Sequence, residues 1–233
     1  MSVVSPNSVR HAPAALHSGD QMSRAEFHEL YSRTPEDFRA ELIGGTVYVA
    51  SPLGLAHGTS DSILITIFTM YAAQTPGTQS SNNTTVFLGE DSEPQPDVFL
   101  RMLPECGGQS RTTADGYVAG APELVAEVAH SSRAIDLGAK RKDYARHGVR
   151  EYLVLSLDDQ QVRWFDLTKD HELQTGPDGI LRMTTFPGLW IDRDALLSQD
   201  YRRLTDTLQR GLAAPEHAEF VSKLAEVRQS QVP

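Results

Sequence analysis

The chain contains a single cysteine, Cys106, and no apolar run close to the roughly 18 residues that a membrane-spanning helix needs. One cysteine excludes an internal disulfide and is typical of proteins in a reducing cytoplasm. Residues 1–20 also lack an apolar segment long enough for a secretory signal. These absences predict a cytoplasmic protein without a membrane segment, in which Cys106 is an unreactive thiol.

Basic residues are also scarce, since 21 lysines and arginines face 31 acids and give a formal net charge of −10. That balance is unfavourable for binding nucleic acid, because affinity for phosphates is largely electrostatic. Between Arg133 and Arg150, however, six bases stand against two acids, a local charge of six minus two, or +4. The simplest interpretation of this segment is a solvated helix face, and a phosphate-binding surface is the alternative.

Hydrophobic periodicity and turn residues predict one α/β domain in which helices pack against a mixed sheet. Helices are expected at about 24–32, 58–74 and 134–147, with two or three more after residue 193. Strands are expected at about 41–43, 46–49, 84–88, 96–101, 123–129, 151–157 and 161–167, and a short one near 181–185 could extend the sheet. We interpret residues 1–20 as a disordered arm, 21–200 as the domain and 201–233 as a helical extension.

Two acids stand where strands are expected to be apolar. Asp97 directly precedes Val98-Phe99-Leu100, and Glu127 lies inside the run 124–128. Burying a carboxylate in such a strand is costly unless it is paired or binds a metal. A strand-end acid and a salt-bridged acid are the simplest alternatives. Taken together, the pair favours a divalent-metal site, because one or two protein carboxylates usually hold Mg²⁺.

Asp136 and Lys140 are four residues apart and share one face of the predicted helix. For Asp136 we prefer an ion pair with Lys140 that stabilises the helix and is worth about 0.3 to 0.5 kcal/mol if it is exposed. Lys140 has a stronger functional case. A cation beside a bound metal could orient water and balance the charge that develops on a phosphate during hydrolysis.

Seven segments in this order resemble the Uma-type restriction endonucleases, a branch of the PD-(D/E)XK nuclease superfamily. The segments are Ala40–Gly45, Ala56–Gly58, Gln95–Val98, Pro122–Val128, Asp136–Arg141, Tyr144–Tyr152 and Phe186–Trp190. They extend from about residue 25 to residue 197. Each segment is a weak signal alone, but the ordered set is specific.

The resemblance implies a restriction-endonuclease-like mixed β-sheet core flanked by helices. It implies Asp97 and Glu127 as metal ligands, Glu41 as a further carboxylate and His57 as an accessory residue at the cleft. The superfamily's usual lysine stands two residues after the strand acid, where this chain has Ala129. Lys140 matches the lysine that this branch carries on the following helix.

The sequence therefore predicts a metal-dependent endonuclease that hydrolyses DNA phosphodiester bonds with Mg²⁺, or with Mn²⁺ in its place. The alternative is a catalytically weak binding or assembly module on the same fold, which the net charge and Ala129 favour. A homodimer is also predicted, because the apolar residues Phe220, Val221 and Leu224 share one face of a C-terminal helix and cutting both strands commonly needs two sites. The competing interpretation is that this helix packs on its own domain.

Overall fold

Helices and strands alternate along most of the chain, as the hydrophobic periodicity predicts. The structure is a computed structural model that describes residues 16–130 and 132–231. The helices are α1 (Arg24–Tyr31), α2 (Leu55–Ala73), α3 (Arg133–Ile135), α4 (Arg141–His147), α5 (Arg193–Ser198), α6 (Tyr201–Leu212) and α7 (Pro215–Ser230). The strands are β1 (Ala40–Ile43), β2 (Thr46–Val49), β3 (Thr78–Ser81), β4 (Val86–Phe87), β5 (Val98–Met102), β6 (Arg111–Thr112), β7 (Val118–Ala119), β8 (Leu124–Ala129), β9 (Glu151–Ser156), β10 (Gln161–Asp166), β11 (His171–Leu173), β12 (Ile180–Arg182) and β13 (Trp190–Asp192).

A six-stranded sheet with the order β11-β10-β9-β8-β5-β3 forms the centre of the molecule. β8 and β9 run parallel, and the other neighbouring strands are antiparallel. The parallel pair needs a crossover connection, which α3 and α4 supply. The prediction of a mixed sheet flanked by helices is confirmed.

The two faces of β8 pack in different parts of the core. Leu124 and Val128 belong to a large cluster that includes Leu64 of α2 and leucines of the C-terminal helices. Val125 belongs to a second cluster with Tyr144 of α4. This alternation follows from the period of two in a strand, and it leaves β8 buried along its whole length.

Several local predictions need correction. The strand expected near 181–185 does not extend the central sheet, because β12 pairs with β13 in a separate two-stranded sheet. The strand expected at 84–88 shortens to β4, which joins β6 and β7 in a small three-stranded sheet. The edge strand β3 was missed, since its sequence Thr-Gln-Ser-Ser has no apolar alternation. The helix expected at 58–74 begins one turn earlier, at Leu55.

The predicted terminal segments have different surroundings. Residues 1–15 of the predicted arm lie outside the described residues, while Leu16 is buried in a small cluster with Phe27 and Val47. At the other end, Leu224 of α7 is buried, and Phe220 contacts the ring of Phe186 edge-to-face. The apolar face proposed for dimerisation therefore packs on its own chain and provides no argument for a dimer.

No helix within residues 16–130 and 132–231 is both long enough and apolar enough to cross a membrane.

Candidate metal and nuclease site

One cavity of about 610 Å³ brings together all five residues singled out in the sequence. Glu41 comes from β1, His57 from the first turn of α2, and Lys140 from the segment between α3 and α4. Asp97 and Glu127 come from neighbouring strands of the central sheet. The fold thus brings five side chains, spread over residues 41 to 140, to one cavity.

Strand register places the two predicted metal ligands opposite each other. Val98 of β5 pairs with Ala126 of β8, so Asp97 stands across from Glu127 one position further along. The backbone N–H of Asp97 donates to Glu127 Oε2 at 3.4 Å, and the backbone N–H of Val128 donates to Asp97 Oδ2 at 2.7 Å. Each carboxylate is therefore fixed by the backbone of the other strand.

The ammonium group of Lys140 lies among the carboxylates of this site. Its Nζ is 2.8 Å from Glu41 Oε2, 3.1 Å from Glu127 Oε1 and 3.7 Å from Asp136 Oδ1. The other oxygen of Glu41, Oε1, accepts a hydrogen bond from the backbone N–H of Gln95 at 2.7 Å. Glu41 thereby connects the lysine to the chain just ahead of β5.

A π-helical turn carries Asp136 and Lys140. Residues Asp136–Lys140 form this turn between α3 and α4, and π-helical insertions are frequent at functional sites. Both side chains are buried, with relative exposures of 2% and 6%. The ion pair predicted for Asp136 is present at 3.7 Å, but it is not exposed, so the energy of an exposed pair does not apply. The pair is part of a buried network whose energetics differ from those of a surface pair.

Tyr144 is a member of the site that the sequence interpretation missed. Its hydroxyl donates to Glu127 Oε1 at 2.8 Å, beside the bond from Lys140. Asp136, Lys140 and Tyr144 follow one another at intervals of four residues, which is the signal that could have identified the tyrosine. Tyr144 helps to fix the rotamer of Glu127 and leaves its Oε2 directed toward Asp97.

The buried charges at this site do not balance. The four carboxylates of Glu41, Asp97, Glu127 and Asp136 face the one ammonium of Lys140, which leaves a formal charge of −3 (four minus one). Burial raises the pKa of Glu127 and of Asp136, although Lys140 opposes the shift in both. Burial lowers the pKa of Lys140, but the surrounding carboxylates outweigh it and raise the pKa overall. The lysine therefore stays charged, and the site can accommodate either a proton or a further cation.

His57 and Asp61 form a second group at the wall that α2 provides. His57 Nε2 is 3.8 Å from Asp97 Oδ2, and Asp61 lies one helical turn further along. Burial, followed by the charge of Asp97, raises the pKa of Asp61 to about 6. Within the described chain, His57 Nδ1 and Asp61 Oδ1 are buried without a hydrogen-bond partner. Asp61 was missed because a single acid in a helix carries no distinctive sequence signal.

The donor set suits a small, hard divalent ion. Across residues 16–130 and 132–231, no group of three or more His, Cys, Asp and Glu side chains is arranged as a complete metal site. Mg²⁺ usually needs only one or two protein carboxylates, with water in its other positions. Asp97 and Glu127 provide two carboxylates at one cavity with excess negative charge. These residues fit Mg²⁺ or Mn²⁺ and offer no thiolate for a softer metal.

The basic segment 133–150 is not an open cationic surface. Arg133 pairs with Asp159, Arg141 with Asp170, and Arg146 with both Asp91 and Asp143, in each case with a shortest distance of 2.5 to 2.8 Å. The local charge of +4 is therefore offset by acids from other parts of the chain. The solvated helix face that we preferred is closer to the structure than a free phosphate-binding surface.

Comparison with solved structures identifies the fold. A crystal structure described as "a putative nuclease belonging to DUF820", from Anabaena variabilis ATCC 29413, superposes with a TM-score of 0.60. The match covers 73% of this chain and 96% of the other, with 16% sequence identity. At that identity the likeness shows a common fold alone. No curated protein matches the chain.

The family comparison covers the cavity and all of its predicted residues. The sequence model of the Uma2 family, described as "Putative restriction endonuclease", matches residues 24–195. This range includes Glu41, His57, Asp97, Glu127 and Lys140, and it spans most of the 233 residues. The chain therefore belongs to the Uma2 family.

Proposed function

We propose that the protein is a Mg²⁺-dependent endonuclease, active also with Mn²⁺, that hydrolyses DNA phosphodiester bonds. One observation carries the proposal: Asp97 and Glu127 lie across from each other at a cavity where carboxylates outnumber the single ammonium of Lys140. A phosphodiester is itself an anion, so it could not approach a formal charge of −3 without a further cation. Asp97 and Glu127 would hold that cation.

The roles of the residues follow from their contacts. A divalent ion held by Asp97 and Glu127 would polarise the phosphate and lower the pKa of a bound water. Lys140 supplies a fixed positive charge where negative charge develops on the phosphate oxygens. Glu41 keeps the lysine at the cavity wall, and Tyr144 orients Glu127. His57, beside Asp97, faces the cavity as an accessory group.

The test is cleavage of supercoiled, linear double-stranded and single-stranded DNA with Mg²⁺, Mn²⁺ or EDTA. Asp97→Asn and Glu127→Gln should abolish metal-dependent cleavage, because each removes a charged ligand while retaining its shape. Asp115→Asn, which changes an exposed acid in the β6–β7 turn, is the matched control. Absence of cleavage by the unmodified protein on every substrate would refute the proposal. Retained DNA binding in that case would support the alternative binding module.

We also propose that the protein works in the cytoplasm as a homodimer, since a duplex cut needs two active sites. The α7 face predicted for this dimer packs on its own chain, so the proposal depends on the reaction. Sedimentation of the protein with and without duplex DNA at micromolar concentration tests it. A monomer in both conditions would contradict the dimer without affecting the cleavage proposal.

A further inference from the structure

A second, smaller cavity of about 200 Å³ adjoins the site. Ala56 and His130 line both cavities, so these two residues form the boundary between them. Ala56 precedes His57, and His130 follows β8 three residues after Glu127. A polymer whose phosphate lies at the carboxylates would therefore place a neighbouring residue at the smaller cavity.

The smaller cavity has both apolar and polar lining residues. Four leucines from two sides of the molecule line it: Leu155, Leu157, Leu196 and Leu197. The first two belong to β9 and the turn after it, and the other two to α5. Leucines contributed by two separate elements are suited to a flat ring, since enzymes that bind a single base commonly hold it between apolar or aromatic side chains.

Three of the polar residues of this cavity are uncharged. Gln160 and Gln199 line it together with the buried Ser60. Gln199 Nε2 makes only a long bond of 3.5 Å to Ser60 Oγ, and Gln160 Nε2 donates to the carbonyl of Leu157 at 2.8 Å. An amide both donates and accepts hydrogen bonds, as the edge of a nucleobase does.

The charged groups at this cavity argue against a phosphate as its occupant. Asp158 and His130 also line it, and they pair with each other at 3.2 Å between Oδ1 and Nε2. No lysine or arginine lines it within the described chain. A phosphate would meet a carboxylate there without a compensating cation, whereas a neutral base would not.

Both glutamines have a backbone conformation that favours glycine. Gln160, in the β9–β10 turn, has φ of 51°, and Gln199, at the end of α5, has φ of 58°. Left-handed φ is uncommon for a residue with a side chain, and such strain clusters at binding sites. Of the four non-glycine residues with this conformation in the described chain, these two line the smaller cavity and Asn83 lines the larger one.

We propose that the smaller cavity is a subsite for one nucleobase of the DNA strand whose phosphate lies at Asp97 and Glu127. The proposal rests on the proposed function for its ligand. The leucines hold the two faces of the base, and the amides of Gln160 and Gln199 contact its edge. The base comes from a single strand or is extruded from a duplex.

The test uses the double variant Gln160→Gly/Gln199→Gly. Glycine removes both amides and also relieves the left-handed strain, so the variant should unfold at the same temperature as the unmodified protein or higher. Asp170→Gly is the matched control, because Asp170 also has a left-handed φ, of 47°, and lies in the β10–β11 turn away from both cavities. The control also removes the ion pair with Arg141, so the quantity that it should leave unchanged is the preference for strands with bases over abasic strands, and not the overall affinity for DNA.

Binding is measured by fluorescence anisotropy in Ca²⁺, which supplies the cation that the phosphate needs, with a short single strand and an abasic strand that has the same phosphates. The unmodified protein should bind the strand with bases about tenfold more tightly. In the double variant this ratio should fall toward one, while affinity for the abasic strand is unchanged. The affinity for a duplex with one unpaired base is then compared with the affinity for a fully paired duplex. This comparison shows whether the base must already be unpaired or can be extruded from a duplex.

Three results would overturn the subsite: a ratio near one in the unmodified protein, an undiminished ratio in the double variant, or no binding of either strand. Cleavage is scored separately with Asp97→Asn. If the unmodified protein prefers the strand with bases but does not cleave DNA, the subsite is retained and the nuclease is rejected. If the protein cleaves DNA but the double variant keeps the same preference for bases, the nuclease is retained and the subsite is rejected.

Discussion

Replacing Lys140 by methionine is the sharpest test of the charge arrangement at the site. Methionine keeps most of the volume of the side chain and removes its charge. In the structure, the ammonium is within 3.7 Å of carboxylate oxygens from Glu41, Glu127 and Asp136. The variant therefore leaves a formal charge of −4 in place of −3, in surroundings from which water is largely excluded.

The expected loss in the free energy of unfolding follows from the burial of Lys140. Removing one partner of a buried ion pair costs about 3 to 5 kcal/mol, because the remaining charge is left uncompensated. For a domain of this size, that loss lowers the melting temperature by about 6 to 20 °C. An exposed i, i+4 pair would cost only about 0.3 to 0.5 kcal/mol. The two interpretations thus differ by about tenfold in free energy.

The assay is urea unfolding in EDTA and then in Mg²⁺. Lys140→Met should lose stability in EDTA and regain more from Mg²⁺ than the unmodified protein does, because a divalent ion restores the missing charge. Cleavage should still fall about 10² to 10³-fold, since the metal does not replace the donor to the phosphate. Lys142→Met, at an exposed lysine two residues away, is the control. A loss below about 1 kcal/mol for Lys140→Met in EDTA would refute the buried network.

Three further predictions concern other parts of the structure. Tyr144→Phe removes the hydrogen bond to Glu127 and should weaken metal affinity, measured by calorimetry, by about 10 to 100-fold; unchanged affinity would contradict the orienting role. Gly108→Ala would place a Cβ in steric overlap with the Met102 carbonyl oxygen and should destabilise the fold by about 3 kcal/mol or more in urea unfolding. Burial and a neighbouring carboxylate raise the pKa of Asp61 to about 6, so the folded protein loses stability as pH rises from about 4 to 6. Asp61→Asn should therefore be stabilised relative to the unmodified protein at pH 8 and not at pH 4, and equal differences at both pH values would contradict the shift.

The strand acids could be identified from the sequence because their signal is local. Glu127 interrupts an apolar run, and an acid in such a strand needs a partner wherever the strand lies. Asp97 carries the same signal at the start of an earlier apolar run, Val98-Phe99-Leu100. Asp61 could not be identified in this way, because its special property is burial beside His57 and Asp97, which depends on how α2 packs. The burial of Asp136 could not be predicted for the same reason, since the spacing of an ion pair does not indicate whether it is exposed.

Sequence alone determined the elements whose hydrophobic period is clear, including β8, β9 and the helices, and it determined the family through ordered short segments. It also supplied the residue types of the proposed divalent-metal site. Only the tertiary structure decided that β12 pairs with β13, that the C-terminal helix covers its own core, and that Tyr144 and Asp136 join Glu127. The physical reason is the separation in sequence between the residues that interact. Periodicity is set by neighbours along the chain, whereas strand pairing, burial and the charge around Lys140 depend on residues that are distant in sequence and meet only after folding.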